Sequence, residues 1–193
     1  MIRYSFSCIN NNIRKESLRL YYCDLNNPIQ FINPLIDIEI DSNAQYSNFN
    51  FLDKSTIKER ISRGDKTFIA FTNEEPAAYL FATTKDIWVD EIKDWLILSQ
   101  GEVYLYDALT LPKYRGKMIY PTLIQHVVEY FKELRFNNAL IFTRSDNRSS
   151  IQGIENARFK YYEDIKFFNI FGFKLWIYKD WRKCVQSRFK NEF

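Results

Sequence analysis

The chain has 193 residues, of which 46% are apolar and 18% are aromatic. This apolar content supports a packed core and excludes a disordered chain, which combines low hydrophobicity with high net charge. The 27 basic and 24 acidic residues leave a net charge of +3. Because a nucleic-acid partner usually shows as a concentrated basic face, we expect none here. The length predicts one domain over residues 1–193.

The cysteines and the hydrophobicity of the chain predict whether it binds a metal or a membrane, and in which compartment it is found. Cys8, Cys23 and Cys184 are an odd number and lack the spacing of metal ligands, so we expect no metal site. We interpret them as reduced thiols of a cytoplasmic protein, since disulfides persist mainly in oxidising compartments. The chain start lacks a signal-peptide pattern, and no segment approaches ~18 uninterrupted apolar residues. We therefore expect no membrane partner.

Apolar runs and turn residues predict the elements of the first half in chain order. They are a strand at 18–23, helices at 28–35 and 52–63, a hairpin of strands at 67–71 and 77–82, and an irregular segment at 86–99. Pro28 suits the first turn of a helix, where its missing N–H costs nothing. Thr56 and Glu59 have the spacing of a capping box, and Gly64 is a helix stop. The hairpin loop is predicted to hold five residues.

The second half is more strongly patterned. It predicts a strand at 102–111, a helix at 122–135, a strand at 139–143, a helix at 149–157 and strands at 161–169 and 173–178. A helix between two strands favours a right-handed crossover, which makes those strands parallel. His126 falls on the polar side of its helix and is interpreted as a surface residue. The order β-α-α-β-β-β-α-β-α-β-β indicates an α/β domain with a mixed sheet.

A short basic turn lies between the strand that ends at Leu111 and the helix that starts near Thr122. It contains Arg115, Gly116 and Lys117. The first N–H groups of a helix have no internal partners, and the peptide dipoles add roughly half a positive charge there. Such a turn suits an anion, and a pyrophosphate best of all.

Two segments carry a resemblance to a known family. Residues 111–120, LPKYRGKMIY, resemble the acetyl-CoA-binding motif of GNAT-type N-acetyltransferases, in which Arg/Gln-x-x-Gly-x-Gly/Ala follows a strand. Residues 146–159, DNRSSIQGIENARF, resemble the family's second signature, an Asn with a small residue three later and a helix that ends in Gly-Phe. A helix and a strand separate the two segments, as in the family.

The resemblance implies a fold and a cofactor. The fold is a mixed, mostly antiparallel sheet flanked by helices, with a central parallel strand pair splayed for acetyl-CoA. The residues that would bind acetyl-CoA are Leu109, Thr110 and Leu111 for the pantetheine arm, Arg115, Gly116, Lys117, Met118, Ile119 and Tyr120 for the pyrophosphate, and Asn147 and Ser150 near the thiol end.

The chain departs from the family pattern at three positions. Met118 and Tyr120 occupy the two small-residue positions of the first motif, and Arg158 stands where Gly usually precedes Phe159. Met118 therefore brings a side chain to a position where the backbone usually approaches phosphate closely.

Amide formation from a thioester requires that the amine lose a proton. An alkylamine with a pKa of ~10 is charged at neutral pH, so a base is useful. Glu102 lies 13 residues before Arg115, a spacing that resembles the general-base glutamate of histone-type family members. Asp107 is the second candidate, because an acidic residue within an apolar strand must be paired or functional. The alternative to a catalytic role, for Glu102 and for Asp107, is a carboxylate that is satisfied by partners in the fold or exposed at an edge.

The leaving thiolate must also be protonated. Many family members place a Tyr for this purpose seven residues after the motif Asn, but that count from Asn147 reaches Ile154. Tyr161 and Tyr162 lie further on, where a strand start would bring one of them close. They are the candidate acids.

These features lead to two functional hypotheses. The first is transfer of an acetyl group from acetyl-CoA to a primary amine of a small molecule, with an amino sugar as one candidate acceptor. The second is a GNAT-like sensor or scaffold that binds an acyl-CoA with reduced catalysis. The expected partners are acetyl-CoA and the small-molecule amine, and a homodimer is left open.

Overall fold

The structure is a computed structural model that describes residues 2–6, 14–42 and 53–178. Cys8, Cys184 and Leu52, the predicted first residue of the second helix, lie outside the described residues. All the candidate site residues lie inside them.

Most of the described strands form one sheet. Its strands are β1 (Ile2–Phe6), β2 (Arg14–Asp24), β3 (Glu39–Asp41), β4 (Lys66–Thr72), β5 (Glu75–Thr83), β8 (Glu102–Thr110), β9 (Asn138–Arg144), β10 (Lys160–Ile170) and β11 (Phe173–Ile177), and a separate hairpin is formed by β6 (Ile87–Val89) and β7 (Asp94–Leu96). The order in the sheet is β1-β11-β10-β2-β9-β8-β5-β4-β3. Among the described strands only β8 and β9 pair in parallel.

Helices cover both faces of this sheet. The described helices are α1 (Lys54–Arg63), α2 (Ile119–Glu133) and α3 (Arg148–Asn156), and a short 3-10 helix spans Pro112–Tyr114. Phe68 packs in a cluster with α2 and α3, whereas the next residue, Ile69, packs with α1. Because alternate strand residues face opposite sides of a sheet, α1 and α2 lie on opposite faces. The β6–β7 hairpin covers the α1 face near Tyr104.

These features confirm the predicted fold class, a mixed and mostly antiparallel sheet with helices on its faces. The parallel pair is confirmed as well. Its register runs from Glu102 opposite Asn138 to Leu105 opposite Ile141. Beyond these residues the described parts of β8 and β9 no longer pair, so the two strands splay apart in the middle of the sheet.

The predicted helix at 28–35 is wrong. Residues 28–34 have no regular secondary structure and run across α2, where their backbone finds other partners. The N–H of Ile32 donates to Oε1 of Gln125 at 2.7 Å, and Nε2 of Gln125 donates to the carbonyl of Gln30 at 2.7 Å. Gln125 is 1% exposed, so these two hydrogen bonds are buried between α2 and the segment. Pro34 also lacks the N–H that a helix needs at that point.

Other differences are local. Asp53 caps α1 by accepting from the N–H of Thr56 at 3.1 Å, so the cap lies three residues before the predicted capping box. The predicted five-residue hairpin loop is a two-residue turn, in which Asn73 and Glu74 both have positive φ, as a type I′ turn requires. The segment predicted to be irregular contains β6 and β7, and β1 and β3 were not predicted.

Candidate functional site

A bulge marks the point where β8 leaves β9. The register with β5 shifts between Tyr79 and Phe81, whose partners are Leu109 and Tyr106. The extra residue falls around Asp107, which has φ 45°. A bulge bends its strand and increases the local twist. It therefore helps to open the sheet beyond Leu105.

A cleft of about 520 Å³ occupies the opening. Its walls come from the end of β8, the following turn, the start of α2 and the inner side of α3. The lining residues are Ala108, Leu109, Thr110, Tyr114, Arg115, Gly116, Met118, Ile119, Tyr120, Pro121, Asn147, Ser149, Ser150, Gln152, Gly153 and Asn156.

The turn at the cleft has an unusual backbone. Gly116 and Met118 have φ 76° and 62°, and Met118 is the residue before α2. Left-handed conformations of this kind are used in the anion-binding loops called nests. The first two N–H groups of α2, on Ile119 and Tyr120, have no carbonyl one turn earlier in the helix to bind. Pro121 has no N–H, so the cleft-facing helix start offers these two donors to an anion.

The basic side chains of the turn are arranged unevenly. Nε of Arg115 donates to the carbonyl of Thr110 at 3.1 Å, which folds the side chain back over the end of β8. Nζ of Lys117 lies 5.6 Å from the ring centre of Tyr114. Tyr114 is itself fixed by a 2.9 Å hydrogen bond to Glu75. Both cations lie near the turn, so the electrostatic potential there favours a phosphate.

The start of α3 forms the opposite wall. Oδ1 of Asn147 accepts from the N–H of Ser150 at 3.1 Å and from the hydroxyl of Ser149 at 3.0 Å. Asn147 is therefore the N-cap of α3, a structural role in addition to the predicted contact with the cofactor.

Tyr120 crosses the cleft from α2 to α3. Its hydroxyl lies 3.4 Å from Oγ of Ser150, and its ring lies against Gly153. Burial raises the pKa of Tyr120 to about 12. Ile154, the next residue of α3, is 0% exposed and belongs to the core, so its side chain does not enter the cleft.

Asp107 lies beside the cleft residue Ala108, and its side chain faces α1. It forms an ion pair with Arg60, and the hydroxyl of Tyr79 donates to Oδ1 at 3.2 Å. The guanidinium of Arg60 lies 4.3 Å from the ring centre of Phe81. The Asp107 side chain keeps 34% of its surface exposed. Asp107 is thus paired, which is one of the alternatives that the sequence left open, and its side chain is still partly accessible.

Glu102 lies elsewhere. It is the first residue of β8, at the opposite end of the strand from the turn, and is 3% exposed. Its Oε2 accepts from the N–H of Ser99 at 2.9 Å. This carboxylate stabilises the loop before β8 and does not line the cleft.

Tyr161 and Tyr162 also lie outside the cleft. Both are in β10, which is separated from β9 by β2. Tyr161 is 51% exposed and packs edge-on against Tyr21, and Tyr162 packs against Tyr22. β10 is two strands away from β9 and three from β8, with neighbouring strands about 4.8 Å apart, and neither tyrosine is among the residues that line the cleft.

The predicted cofactor residues come together, with two exceptions. Leu111 and Lys117 are not among the lining residues, and the N–H of Leu111 is already bound to the carbonyl of Ala77 at 2.9 Å. Because strand residues alternate, the backbone of Ala108 and Thr110 faces the cleft instead. Sequence reasoning missed Gly153, whose position inside a helix was the available signal.

Within the described ranges, no group of three or more His, Cys, Asp or Glu side chains is placed to hold a metal ion. No helix among the described residues is long and apolar enough to cross a membrane.

Comparisons with known proteins agree with this architecture. The sequence model of the Acetyltransferase (GNAT) family matches residues 34–155, more than half of the chain. No curated protein matches the chain significantly. The chain therefore belongs to the GNAT acetyltransferase family on the strength of the family model.

Solved structures share the fold at low identity. A GNAT-family protein from Novosphingobium aromaticivorans DSM 12444 is 13% identical with a TM-score of 0.52, over 91% of this chain and 73% of that one. A GNAT-family acetyltransferase from Colwellia psychrerythraea is 13% identical with a TM-score of 0.51, over 88% and 58%. A Drosophila protein is 9% identical with a TM-score of 0.56, over 88% and 52%. The chain thus spans little more than half the length of the last two.

Proposed function

We propose that this protein transfers an acetyl group from acetyl-CoA to a primary amine of a small molecule. The observation that carries the proposal is the splay of β8 and β9 beyond Leu105 and Ile141, with the anion-receiving turn before α2 at its side. A long, thin ligand with a pyrophosphate fits this combination, because strand backbone and the N–H groups of a helix start line one continuous cleft, with two basic residues near its turn.

Different residues would bind different parts of acetyl-CoA, the acyl donor. The N–H groups of Ile119 and Tyr120, with Lys117 nearby, would hold the pyrophosphate. The backbone of Ala108 and Thr110 would pair with the amide groups of the pantetheine arm, as an added strand would. The acyl group would then reach the splay near Ala108.

Asp107 is the group that we propose to meet the amine. It lies next to Ala108 but faces α1, so the acceptor would approach from the sheet face opposite α2. The amine must be neutral to attack, and an ammonium with a pKa of ~10 holds its proton at neutral pH. The carboxylate of Asp107 binds the ammonium and takes that proton. Tyr79 and Arg60 hold the carboxylate in place.

Transfer is tested with the purified protein, acetyl-CoA and a panel of primary amines that includes amino sugars. The measurement is free thiol released over time. Thiol release that depends on particular amines, with a matching N-acetylated product by mass spectrometry, is the expected result. Boiled protein and acetyl-CoA without amine are the controls.

Binding is measured separately by thermal unfolding with CoA. A ligand that binds only the native state raises its stability by RT ln(1 + [L]/Kd). Stabilisation without thiol release would favour the acyl-CoA sensor over the enzyme. No stabilisation at millimolar CoA would refute both.

A further inference from the structure

Two arginines of α1 reach the face of the sheet on which Asp107 lies. Arg60 and Arg63 are in the last turn of the helix, and each forms an ion pair with a carboxylate. Arg60 pairs with Asp107, and Arg63 pairs with Asp65. The side chain of Asp65 is 1% exposed, whereas that of Asp107 is 34% exposed. An incoming amine can therefore reach the carboxylate of Asp107 but not that of Asp65.

The guanidinium of Arg60 is held in place by two aromatic rings. Its Cζ atom lies 4.3 Å from the ring centre of Phe81 and 5.2 Å from that of Tyr106. The hydroxyl of Tyr106 donates to Oδ2 of Asp65 at 2.5 Å and accepts from Nη2 of Arg63 at 2.9 Å, so this ring is fixed as well. A guanidinium stacked in this way is preorganised, because its planar fork of donors loses little freedom when a carboxylate binds.

The ion pair of Arg60 and Asp107 uses only part of its hydrogen-bonding capacity. Among the described residues, Arg60 donates to Asp107 through Nη1 alone, although a guanidinium has donors on all three nitrogens. Oδ1 of Asp107 accepts from the hydroxyl of Tyr79 at 3.2 Å, and Oδ2 accepts from Arg60. Since a carboxylate oxygen can accept more than one hydrogen bond, both members of the ion pair can bind a further group of opposite charge.

The charges around this ion pair disfavour an acceptor with several ammonium groups. Lys85 joins the same cluster, since its Nζ donates to the carbonyl of Arg63. Within the part of the chain that the structure describes, the carboxylates in these contacts are Asp65 and Asp107, and Asp65 is buried. A second ammonium would find no accessible carboxylate in the cluster and would lie close to the guanidiniums, at a Coulombic cost. An acceptor with one ammonium and one carboxylate would meet a partner for each charge.

We infer that the acceptor is an α-amino acid, a small molecule in which one carbon atom separates the amine from a carboxylate. This inference rests on the proposed function and names its substrate class. The ammonium binds Asp107 and the carboxylate binds Arg60, so the ligand lies antiparallel to the protein's own ion pair. The close spacing in the ligand follows from the direct contact of Arg60 with Asp107, because charges held side by side in the protein match charges held side by side in the ligand.

The first test compares α-amino acids with their carboxamides as acceptors in the thiol-release assay. A carboxamide keeps the amine and the side chain and removes the negative charge. In the wild type, kcat/KM should favour the amino acid by about 10- to 100-fold, the range expected for a hydrogen bond between charged groups. Intrinsic reactivity works in the opposite direction, because a neighbouring carboxylate raises the pKa of an ammonium. A diamine and an amino sugar complete the panel.

Arg60→Gln tests the residue that would bind the carboxylate. It should bring kcat/KM for the amino acid and for the carboxamide close together, whereas Arg60→Lys, which keeps the charge without the planar fork, should retain part of the preference. A displaced Asp107 or a less stable protein lowers both values and cancels in their ratio. Lys58→Gln is the matched control, because it removes one positive charge from an exposed position of the same helix. It should leave the ratio at the wild-type value.

Binding of the product supplies a readout that does not require turnover. An N-acetylated amino acid has the carboxylate but no ammonium, so its affinity for the CoA-loaded protein reports on Arg60 and not on proton transfer to Asp107. Calorimetric titration should show about 10-fold weaker binding to Arg60→Gln than to the wild type. The affinity of the corresponding N-acetylated carboxamide should not change.

The outcomes separate this inference from the proposed function. Wild-type turnover that favours carboxamides, diamines or amino sugars over amino acids overturns the inference and leaves the proposed function intact. An unchanged ratio in Arg60→Gln, with both values lowered, also overturns it, because Arg60 would then only hold Asp107 in place. So does an equal fall of the ratio in Lys58→Gln, which would assign the preference to the overall charge. Absence of thiol release with every amine refutes the proposed function itself.

Discussion

The ring of Tyr120 lies directly on the bare Cα of Gly153. A Cβ built on this glycine would stand 2.4 Å from Cδ1 and 2.8 Å from Cε1 of the tyrosine, distances that real Cβ atoms do not adopt. The two residues lie on different helices, so this contact fixes how closely α2 and α3 approach at the cleft. The ring of Tyr120 on α2 therefore packs in the space that a side chain at position 153 of α3 would occupy.

Gly153→Ala is therefore expected to destabilise the protein by about 1–3 kcal/mol, because the added methyl overpacks the contact. Urea unfolding measures the change. In a Tyr120→Ala background the same substitution should become stabilising by about 0.5–1 kcal/mol, since alanine is the better helix residue. An equal effect of Gly153→Ala on stability in both backgrounds would show that the cost does not come from the contact with Tyr120.

Asp107→Asn tests the amine-binding role. The amide keeps the shape of the side chain but cannot take a proton, so kcat should fall by about 100-fold. Stability should change by less than about 1 kcal/mol, because the ion pair with Arg60 is partly exposed. Steady-state kinetics with the best amine supply the measurement.

Glu102→Gln provides the contrast with Asp107→Asn. It should leave kcat unchanged, because the residue lies at the far end of β8. It should cost about 1 kcal/mol of stability through the weakened hydrogen bond from Ser99. A large loss of kcat with normal folding would return Glu102 to the catalytic candidates.

Gln125→Ala should loosen the segment that crosses α2. The substitution removes two buried hydrogen bonds and leaves the N–H of Ile32 and the carbonyl of Gln30 without them. The expected loss is about 1–3 kcal/mol. In Gln125→Ala, the rate of amide hydrogen exchange should increase at Ile32 in particular. Gln125→Glu keeps an acceptor for the N–H of Ile32 but has no donor for the carbonyl of Gln30, so it should protect Ile32 better than Gln125→Ala does. Unchanged exchange at Ile32 would argue against this anchoring.

His126 gives a direct check of burial, since it is the chain's one histidine. Burial lowers the pKa of His126 below the ordinary value of 6.5, and the charge of Glu133 opposes this shift without reversing it. The folded protein thus binds this proton less readily than the unfolded chain does. His126 therefore costs no stability above pH ~6.5, and its destabilising effect grows as the pH falls through the folded pKa. A single imidazole titration by NMR should have its midpoint below 6.5, whereas a midpoint at or above it would contradict the packing beside Phe68.

Met118→Gly tests the turn. Met118 has φ 62°, a conformation that costs a side-chain-bearing residue roughly 1 kcal/mol and glycine almost nothing. The variant should bind CoA more tightly, because the backbone can then approach a phosphate without a side chain in the cleft. Calorimetric titration with CoA measures the change, and weaker binding would show that the Met118 side chain contributes to the site.

The local patterns in the sequence were sufficient for the elements around the cleft. The helix α2, the strand before it and the glycine-bearing basic turn depend on neighbours a few residues apart. The bounds of the helix and of the strand were predicted to within three residues. The prediction failed at 28–35, where the partners are Gln125 and Lys117, about 90 residues away in the chain. No local pattern contains such partners. That residues 1–193 form one domain stays a prediction.

The candidate site shows the same difference between features set by neighbouring residues and features set by residues distant in the chain. The sequence by itself determined that a strand end, a basic turn and a helix start would follow one another between residues 109 and 122, because helix propensity and turn chemistry are properties of adjacent residues. Only the tertiary structure decided which distant groups meet there. Tyr120 reaches Gly153, Asp107 reaches Arg60, and Glu102 and Tyr161 are left outside. Side-chain contacts across a sheet depend on register, a bulge and helix packing, and these are set by the whole fold.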